Sequence, residues 1–205
     1  MPKCHPDKPL AQPDKCLLLV IDVQEKLIGS ISNAQSVVAN IAALIKTAQI
    51  FHIPVLTTEQ EKLGPTIPQL NDLLDRGDNP APVIKSSFSC WPNSAFRQAL
   101  ERMNRQRLLI TGLESHICVS QTSLDLLAND YQLHVVADAT SSYSVQDRQV
   151  ALDRLSSQGA VLTTTEALIY ELTATAQAPE FKKILQVVKD RRNTFSKLPP
   201  APGTA

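Results

Sequence analysis

Short apolar runs alternate with longer amphipathic stretches along most of this chain, and that alternation constrains the fold more than any other feature. Six runs of strand length are rich in Leu, Val, Ile and Thr. They occupy residues 16–22, 54–59, 82–86, 107–112, 134–138 and 160–164. Mostly apolar runs of this length are typical of strands buried on both faces of a parallel sheet. The pattern therefore predicts an α/β fold, a three-layer doubly wound arrangement around a mostly parallel six-stranded sheet.

The stretches between the runs have helical periodicity. We expect helices over residues 32–51, 93–103, 116–131, 144–159 and 165–172, and a terminal helix after residue 178. Ser32 or Asn33 can cap the first helix, Asn93 begins the second, and Gly159 suits the end of the fourth.

Length and composition limit the domain organisation and the partners. A chain of 205 residues with 43% apolar content suits one well-filled core better than two. We expect a single domain over residues 1–205, with an N-terminal arm at 1–14 and a C-terminal helix and tail at 178–205. Twenty basic and twenty acidic residues cancel, which indicates neither a nucleic-acid partner nor a membrane surface. No segment approaches the roughly 20 apolar residues of a membrane span, and no signal-peptide core is evident, so we expect a cytoplasmic protein.

The sequence lacks the motifs of a dinucleotide-binding site and of a disulfide framework. The first strand is followed by "DVQEKLIG", which lacks the glycine-rich turn that binds a dinucleotide, so the fold is Rossmann-like without a dinucleotide motif. The four cysteines (Cys4, Cys16, Cys90 and Cys118) are widely spaced, with no Cys-x-x-Cys pair, and a disulfide framework is not expected.

Three reactive side chains fall at predicted strand ends: Asp22, Lys85 and Cys118. Each has an ordinary structural explanation, because a strand-terminal Asp often caps a turn, most lysines are solvated, and a free cysteine often fills a core. Together, the three side chains predict an activated nucleophile. A thiol at a helix start beside an ammonium group is stabilised as thiolate, and a nearby carboxylate can move its proton. Whether Lys85 lies on a strand next to the cysteine is left open, so its long side chain or a folded loop has to close the gap.

At these residues the sequence resembles the isochorismatase-like cysteine hydrolases. The strongest segments are "DVQ" at 22–24, "KSSFS" at 85–89 and "TGLESHICVSQT" at 111–122, and the subgroup of isochorismatase domain-containing proteins of unassigned substrate is the most similar. The resemblance implies that Cys118 is the nucleophile, Asp22 the general base and acid, and Lys85 the electrostatic partner. It also implies a cis peptide before Glu114, with the N–H groups of Glu114 and Cys118 forming an oxyanion hole.

Departures from better-known members of the family narrow the chemistry. Nicotinamidases carry histidines after the second strand to hold a metal, whereas residues 57–68 here contain none, so we expect no metal and no cofactor. Isochorismatases that act on a vinyl ether lack the cysteine, so Cys118 favours acyl transfer. We therefore predict a metal-independent hydrolase, acting as a homo-oligomer, that cleaves a small amide or related C–N bond through a thioester.

Several further residues are candidates for the pocket. Substrate contacts are predicted for Gln24, Gln60, Phe88, Trp91 and Ile117.

Glu59 is a weaker candidate for the pocket, and His116 suits capping or packing better than base catalysis, because positions i and i+2 diverge on a helix. Cys90 is interpreted as structural, although redox coupling to Cys118 stays open. Two other functions remain: a non-catalytic oligomeric binding or scaffold protein, and a thiol redox protein.

Overall fold

The computed structural model describes residues 10–74 and 79–196, and its strands form one six-stranded sheet. The strands are β1 (Cys16–Ile21), β2 (Val55–Gln60), β3 (Val83–Lys85), β4 (Arg107–Leu113), β5 (Gln132–Ser141) and β6 (Val161–Thr163). Their order is β3-β2-β1-β4-β5-β6, and every pairing is parallel. All six predicted strands are present, so the predicted α/β class and parallel sheet are confirmed. Most of the predicted N-terminal arm (residues 1–9) and the tail from 197 lie outside the described residues.

The described part of the chain has eight α-helices, six between strands and two after β6. They are α1 (Glu25–Ile28), α2 (Ala34–Ile50), α3 (Pro68–Leu74), α4 (Ser94–Met103), α5 (Ser120–Ala128), α6 (Val145–Ser157), α7 (Thr165–Thr173) and α8 (Phe181–Phe195). A 3₁₀ turn at Pro13–Lys15 precedes β1, and a π-helical turn at Ser115–Val119 precedes α5. The predicted helix over 116–131 is therefore two elements. Helices α1 and α3 escaped the sequence pattern because four and seven residues are too few to show a period.

The predicted caps were right at two helices and wrong at one. The Asn93 side chain accepts the Phe96 N–H at 3.1 Å, and Gly159 follows the end of α6 with a φ of +102°. At the start of α2, Asn33 has a left-handed backbone and its side chain caps nothing. It accepts instead from the Ser141 hydroxyl at 2.7 Å, which joins this helix start to the end of β5.

Helices cover both faces of the sheet and create two cores. Strand β1 is buried throughout, and its side chains alternate between them: Leu18 and Val20 join the core beneath α2, α7 and α8, while Leu17, Leu19 and Ile21 join the core beneath α4, α5 and α6. Burying one such side chain contributes about 1.5–3 kcal/mol. In the described ranges no helix is long and apolar enough to cross a bilayer.

The strand order reverses between β1 and β4, and the two strands approach closely there. Gly112 has a φ of +115°, and a Cβ at this position would overlap the backbone of Ile21. Only glycine fits such a contact. Ligands of doubly wound folds bind outside the carboxyl ends of strands at this kind of reversal, which is where Asp22 and the turn after β4 lie.

Candidate active site

Asp22 directly follows β1, and its carboxylate is buried with two hydrogen-bond donors. Oδ1 accepts from the Thr58 hydroxyl at 2.7 Å, and Oδ2 accepts from Lys85 Nζ at 2.6 Å. The side chains of Asp22 and Lys85 are each 1% exposed. Asp22 also has a φ of +52°, an uncommon backbone conformation for a residue other than glycine. The end of β1 therefore presents a buried carboxylate with a fixed counter-charge.

Lys85 ends β3, and β2 lies between its strand and β1. Its side chain spans that gap. Beyond Asp22, Nζ donates to Gln60 Oε1 at 2.8 Å and contacts the carbonyl oxygens of Ser87 and Phe88 at 3.2 Å each. An ammonium group removed from water needs such acceptors to offset its lost hydration. The question left open by the sequence is thus answered by the side chain and the loop together.

Cys118 lies in the π-helical turn after β4 and is 7% exposed. Burial is the largest of the effects that raise the pKa of its thiol to about 12, and Asp22 adds to the rise as a negative charge and as acceptor of the thiol hydrogen bond. Lys85 lowers the pKa of the thiol but does not offset these effects. The direction of this shift is opposite to that expected for a stabilised thiolate, because burial and Asp22 outweigh the effect of Lys85, whose charge is paired with Asp22. The raised pKa favours the neutral thiol, which faces the Asp22 carboxylate.

The turn before Cys118 is tied to the backbone around it. The peptide between Leu113 and Glu114 is cis, as the family resemblance implied. The Glu114 carbonyl accepts the N–H groups of Ile117 and Val119 at 3.1 and 3.2 Å, on either side of Cys118. Within the described residues the Glu114 N–H makes none of the backbone hydrogen bonds found outside regular helices and strands.

Gln24 and Gln60 lie together in one wall of the site. The Gln24 amide donates to the carbonyl oxygens of Gln60 and Gly64 at 2.9 and 2.5 Å and accepts the Gln60 N–H at 2.8 Å. The Gln60 side chain holds Lys85 and donates to the Ser86 carbonyl at 2.7 Å. Both side chains thus bind protein groups in this structure.

The other predicted pocket residues lie in different surroundings. Phe88 is 55% exposed, and Ile117 is half-buried. Trp91 packs edge-on against Tyr131 with ring centroids 6.2 Å apart, and the Arg97 guanidinium lies 6.0 Å from its ring centre.

Two weaker candidates have structural partners. His116 Nδ1 is 3.0 Å from the Ser142 hydroxyl, which fits the packing interpretation. The Glu59 carboxylate accepts the N–H and the hydroxyl of Thr66 at 2.7 and 2.8 Å.

Two residues next to Asp22, Thr58 and Cys90, were not predicted from the sequence to lie there. Thr58 faces the site from β2 and orients Asp22, and Cys90 Sγ is 3.9 Å from the Thr58 hydroxyl. Cys90 is fully buried, and burial raises the pKa of its thiol to about 11. The alternation of side chains along β2 could have indicated Thr58 once β2 was placed between β1 and β3.

Metal ligands are not grouped anywhere in the part of the chain that the structure describes. No set of three or more His, Cys, Asp or Glu side chains there is positioned to hold an ion.

Comparisons with known proteins identify the family. The isochorismatase domain model matches residues 16–167. Isochorismatase domain-containing protein 2A of Mus musculus is 40% identical over 181 residues, which cover 87% of this chain and 84% of that protein.

Two solved structures share the fold. The MAR1 ribonuclease of Caenorhabditis elegans has a TM-score of 0.84 and 32% identity, and the match covers 96% of this chain and 97% of the other. The YcaC gene product of Escherichia coli, described as an octameric hydrolase of unknown specificity, has a TM-score of 0.83 and 22% identity, with 94% and 97% coverage. The chain therefore belongs to the isochorismatase family and has its hydrolase fold, and the predicted family and subgroup are confirmed.

Proposed function

We propose that this member of the isochorismatase family is a metal-independent cysteine hydrolase that cleaves a small amide or a related C–N bond through a thioester. The observation that carries the proposal is a thiol facing a buried carboxylate whose other oxygen holds an ammonium group. Cys118, Asp22 and Lys85 provide these groups at the reversal of strand order. A nucleophile beside a base that a third group orients is the arrangement used in covalent catalysis.

In the first step the thiol attacks the amide carbonyl while its proton passes to Asp22. A C–S bond forms, and the carbonyl electron pair moves onto oxygen. The N–H groups of Glu114 and Cys118 receive that oxyanion. The high pKa of the thiol suits this order of events, because burial and Asp22 disfavour a free thiolate before substrate arrives.

In the second step the tetrahedral intermediate collapses. The C–N bond breaks, and Asp22 returns the proton to the leaving amine, which leaves a thioester on Cys118. Water then attacks the thioester while Asp22 takes its proton. The C–S bond breaks as Asp22 returns that proton to sulfur, which releases a carboxylic acid and restores the thiol. Lys85 remains on Asp22 throughout and offsets its charge in a site without bulk water.

RNA cleavage is a second candidate, favoured by the 32% identity to a protein described as a ribonuclease. A balanced set of 20 basic and 20 acidic residues provides no excess positive charge for a phosphate backbone. Amide hydrolysis therefore accounts for the site better.

A screen of small amides, ureides and carbamates for amine or ammonia release tests the proposal, with RNA oligonucleotides in parallel. We expect turnover of at least one amide that survives chelation by EDTA and is lost in Cys118→Ala. The matched control is Cys16→Ala, since Cys16 is also a buried thiol but lies at the start of β1. Cleavage of RNA alone, or turnover that persists in Cys118→Ala, would refute the cysteine hydrolase. Amide turnover that is lost with EDTA and restored by a divalent metal would contradict metal independence.

We also propose that the chain forms a homo-oligomer. The E. coli neighbour is octameric, and this chain exposes the large apolar side chains Tyr143, Val145 and Val150 around the start of α6. Light scattering during size-exclusion chromatography measures the mass directly, and a monomer at micromolar concentration would contradict the proposal.

A further inference from the structure

The helix that follows the nucleophile also holds the loop that follows Lys85. This loop, residues 86–91, is called the Lys85 loop below. The Ser89 hydroxyl donates to Asp125 Oδ2 at 2.5 Å, and the Cys90 N–H donates to Thr122 Oγ1 at 3.0 Å. Thr122 and Asp125 both lie on α5, which begins two residues after Cys118. Helix α5 therefore follows the turn that holds the thiol and also bonds to the Lys85 loop.

The Lys85 loop in turn surrounds the ammonium group. The carbonyl oxygens of Ser87 and Phe88 are each 3.2 Å from Nζ. Inside the loop, the Ser87 hydroxyl donates to the Ser89 carbonyl at 2.7 Å, and the Ser89 hydroxyl accepts the Trp91 N–H at 3.2 Å. Ser89 thus connects α5 to the part of the loop whose carbonyl groups contact Lys85.

The Thr122 and Asp125 side chains both bond to this loop, and among the described residues neither has a side-chain hydrogen bond to any other element. Thr122 is fully buried, and its hydroxyl accepts from the loop backbone rather than bonding its own helix. Asp125 forms no ion pair with a described lysine or arginine, so its carboxylate is committed to the Ser89 hydroxyl.

We infer that Thr122 and Asp125 are positioning residues that hold Lys85 on Asp22 through the Lys85 loop. Fixing the loop keeps the ammonium group at Asp22 Oδ2 while the thiol proton arrives at the carboxylate, so the counter-charge does not shift during the reaction. A displacement of about 1 Å in a reacting constellation can lower the rate by about 100-fold. The inference rests on the proposed function for its effect on turnover, whereas the effect on Lys85 itself is independent of any substrate.

The first test follows the Lys85 ammonium group by ¹⁵N NMR of the lysine side chains in the full-length protein. Lys85→Met assigns the signal. Ser89→Ala, Thr122→Val and Asp125→Ala should each shift or broaden it. Thr47→Val is the matched control, because Thr47 is also a fully buried helical threonine but bonds the Ala43 carbonyl of its own helix at 2.9 Å.

Ser89→Ala removes the loop end of the same hydrogen bond, so the test remains decisive if an α5 variant fails to fold. An unchanged Lys85 signal in Ser89→Ala and in every folded α5 variant would overturn the inference.

The second test is a double-variant cycle on kcat/KM with the amide found by screening. Asp125→Ala should lower kcat/KM about tenfold, and Asp125→Asn, which keeps an acceptor oxygen, should recover most of that loss. In a Lys85→Met background, Asp125→Ala should cause no further loss, because its effect passes through Lys85. An equal loss in both backgrounds would indicate a general structural role and overturn the inference. If no amide is hydrolysed, the proposed function fails, and the NMR result still decides the positioning role.

Discussion

Asp22 and Asp138 look alike in the sequence and have different surroundings in the structure. Each ends a predicted apolar run, and each accepts hydrogen bonds from a threonine hydroxyl and from a basic side chain. The donors are Thr58 and Lys85 for Asp22, and Thr165 and Arg191 for Asp138. The difference is what else lies within reach, because only Asp22 faces a thiol.

Asp138 belongs to a cluster that joins elements of the fold, which we call the Asp138 brace: Asn40, Asp138, Glu166 and Arg191. The Arg191 guanidinium binds Asn40 at 2.6 Å, Asp138 at 3.1 Å and Glu166 at 3.2 Å, and so connects α8 to α2, β5 and α7. The side chains of Arg191 and Asp138 are 13% and 29% exposed, against 1% for each partner of the Asp22–Lys85 pair. Asp138 lies within β5, whereas Asp22 directly follows β1. A carboxylate at the end of an apolar run is thus a catalytic candidate when a neighbouring strand end adds a nucleophile, and a structural group when its partners only join elements of the fold.

The largest expected effect separates the two aspartates by turnover. Asp22→Asn should lower kcat by about 10²–10⁴-fold, because the amide cannot accept and return the thiol proton. Asp138→Asn should leave kcat close to wild type. Steady-state kinetics with the screened amide measures both, and circular dichroism checks that each variant is folded. Similar losses of kcat in the two variants would show that Asp22 has no catalytic role that Asp138 lacks.

Loss of Lys85 should also lower the free energy of unfolding more than loss of Arg191. Lys85→Met leaves Asp22 buried without its counter-charge, and removing one member of a buried pair costs about 3–5 kcal/mol. Arg191→Met breaks a more exposed pair and should cost about 1–2 kcal/mol. Urea denaturation gives both free energies of unfolding. A larger loss of stability for Arg191→Met would contradict the expectation that Asp22 depends more on Lys85 than Asp138 depends on Arg191.

Thiol reactivity should change in the opposite direction to turnover. Asp22 raises the pKa of Cys118 as a charge and as a hydrogen-bond acceptor, so Asp22→Asn should lower that pKa and increase the thiolate fraction. Alkylation of Cys118 by iodoacetamide at pH 8 should be about 3–10-fold faster in Asp22→Asn and unchanged in Asp138→Asn. Peptide mass spectrometry measures the rate at each cysteine. Slower labelling in Asp22→Asn would show that the carboxylate does not act on this thiol.

The smallest expected effect is a decrease in the free energy of unfolding at alkaline pH. It comes from the Cys118 thiol and not from the Asp138 brace. The pKa of Cys118 is about 12 in the folded protein and 9.0 in a model thiol, so the unfolded chain loses this proton first as the pH rises. A raised folded pKa gives stability that is present below pH 9 and declines above it, by on the order of 1 kcal/mol at pH 10 for one thiol. Cys118→Ser should therefore show a smaller decline in urea midpoint between pH 8 and 10 than wild type. An identical decline would contradict the raised pKa.

The sequence predicted the parts of the site that depend on strand ends. Asp22, Lys85 and Cys118 each follow an apolar run, and parallel strands bring such ends to one edge of the sheet. The cis peptide before Glu114 followed from the family resemblance and is present.

The properties that depend on strand order and side-chain pairing could not be predicted. The placement of β2 between β1 and β3 determines that Lys85 crosses a strand and that Thr58 reaches Asp22. The thiol pKa depends on burial and on which charge Lys85 already faces, and neither is encoded in local spacing. The left-handed start at Asn33 depends likewise on a distant contact with Ser141.

Mass spectrometry of the enzyme quenched in acid during turnover shows directly whether Cys118 carries the acyl group. With the best amide from the screen, we expect an adduct with the mass of the substrate acyl group on the peptide that contains Cys118, released by hydroxylamine as a thioester is. The adduct should be absent in Cys118→Ala and strongly reduced in Asp22→Asn. Turnover with no adduct at Cys118, or an adduct on another residue with Cys118 unmodified, would show that Cys118 is not the nucleophile.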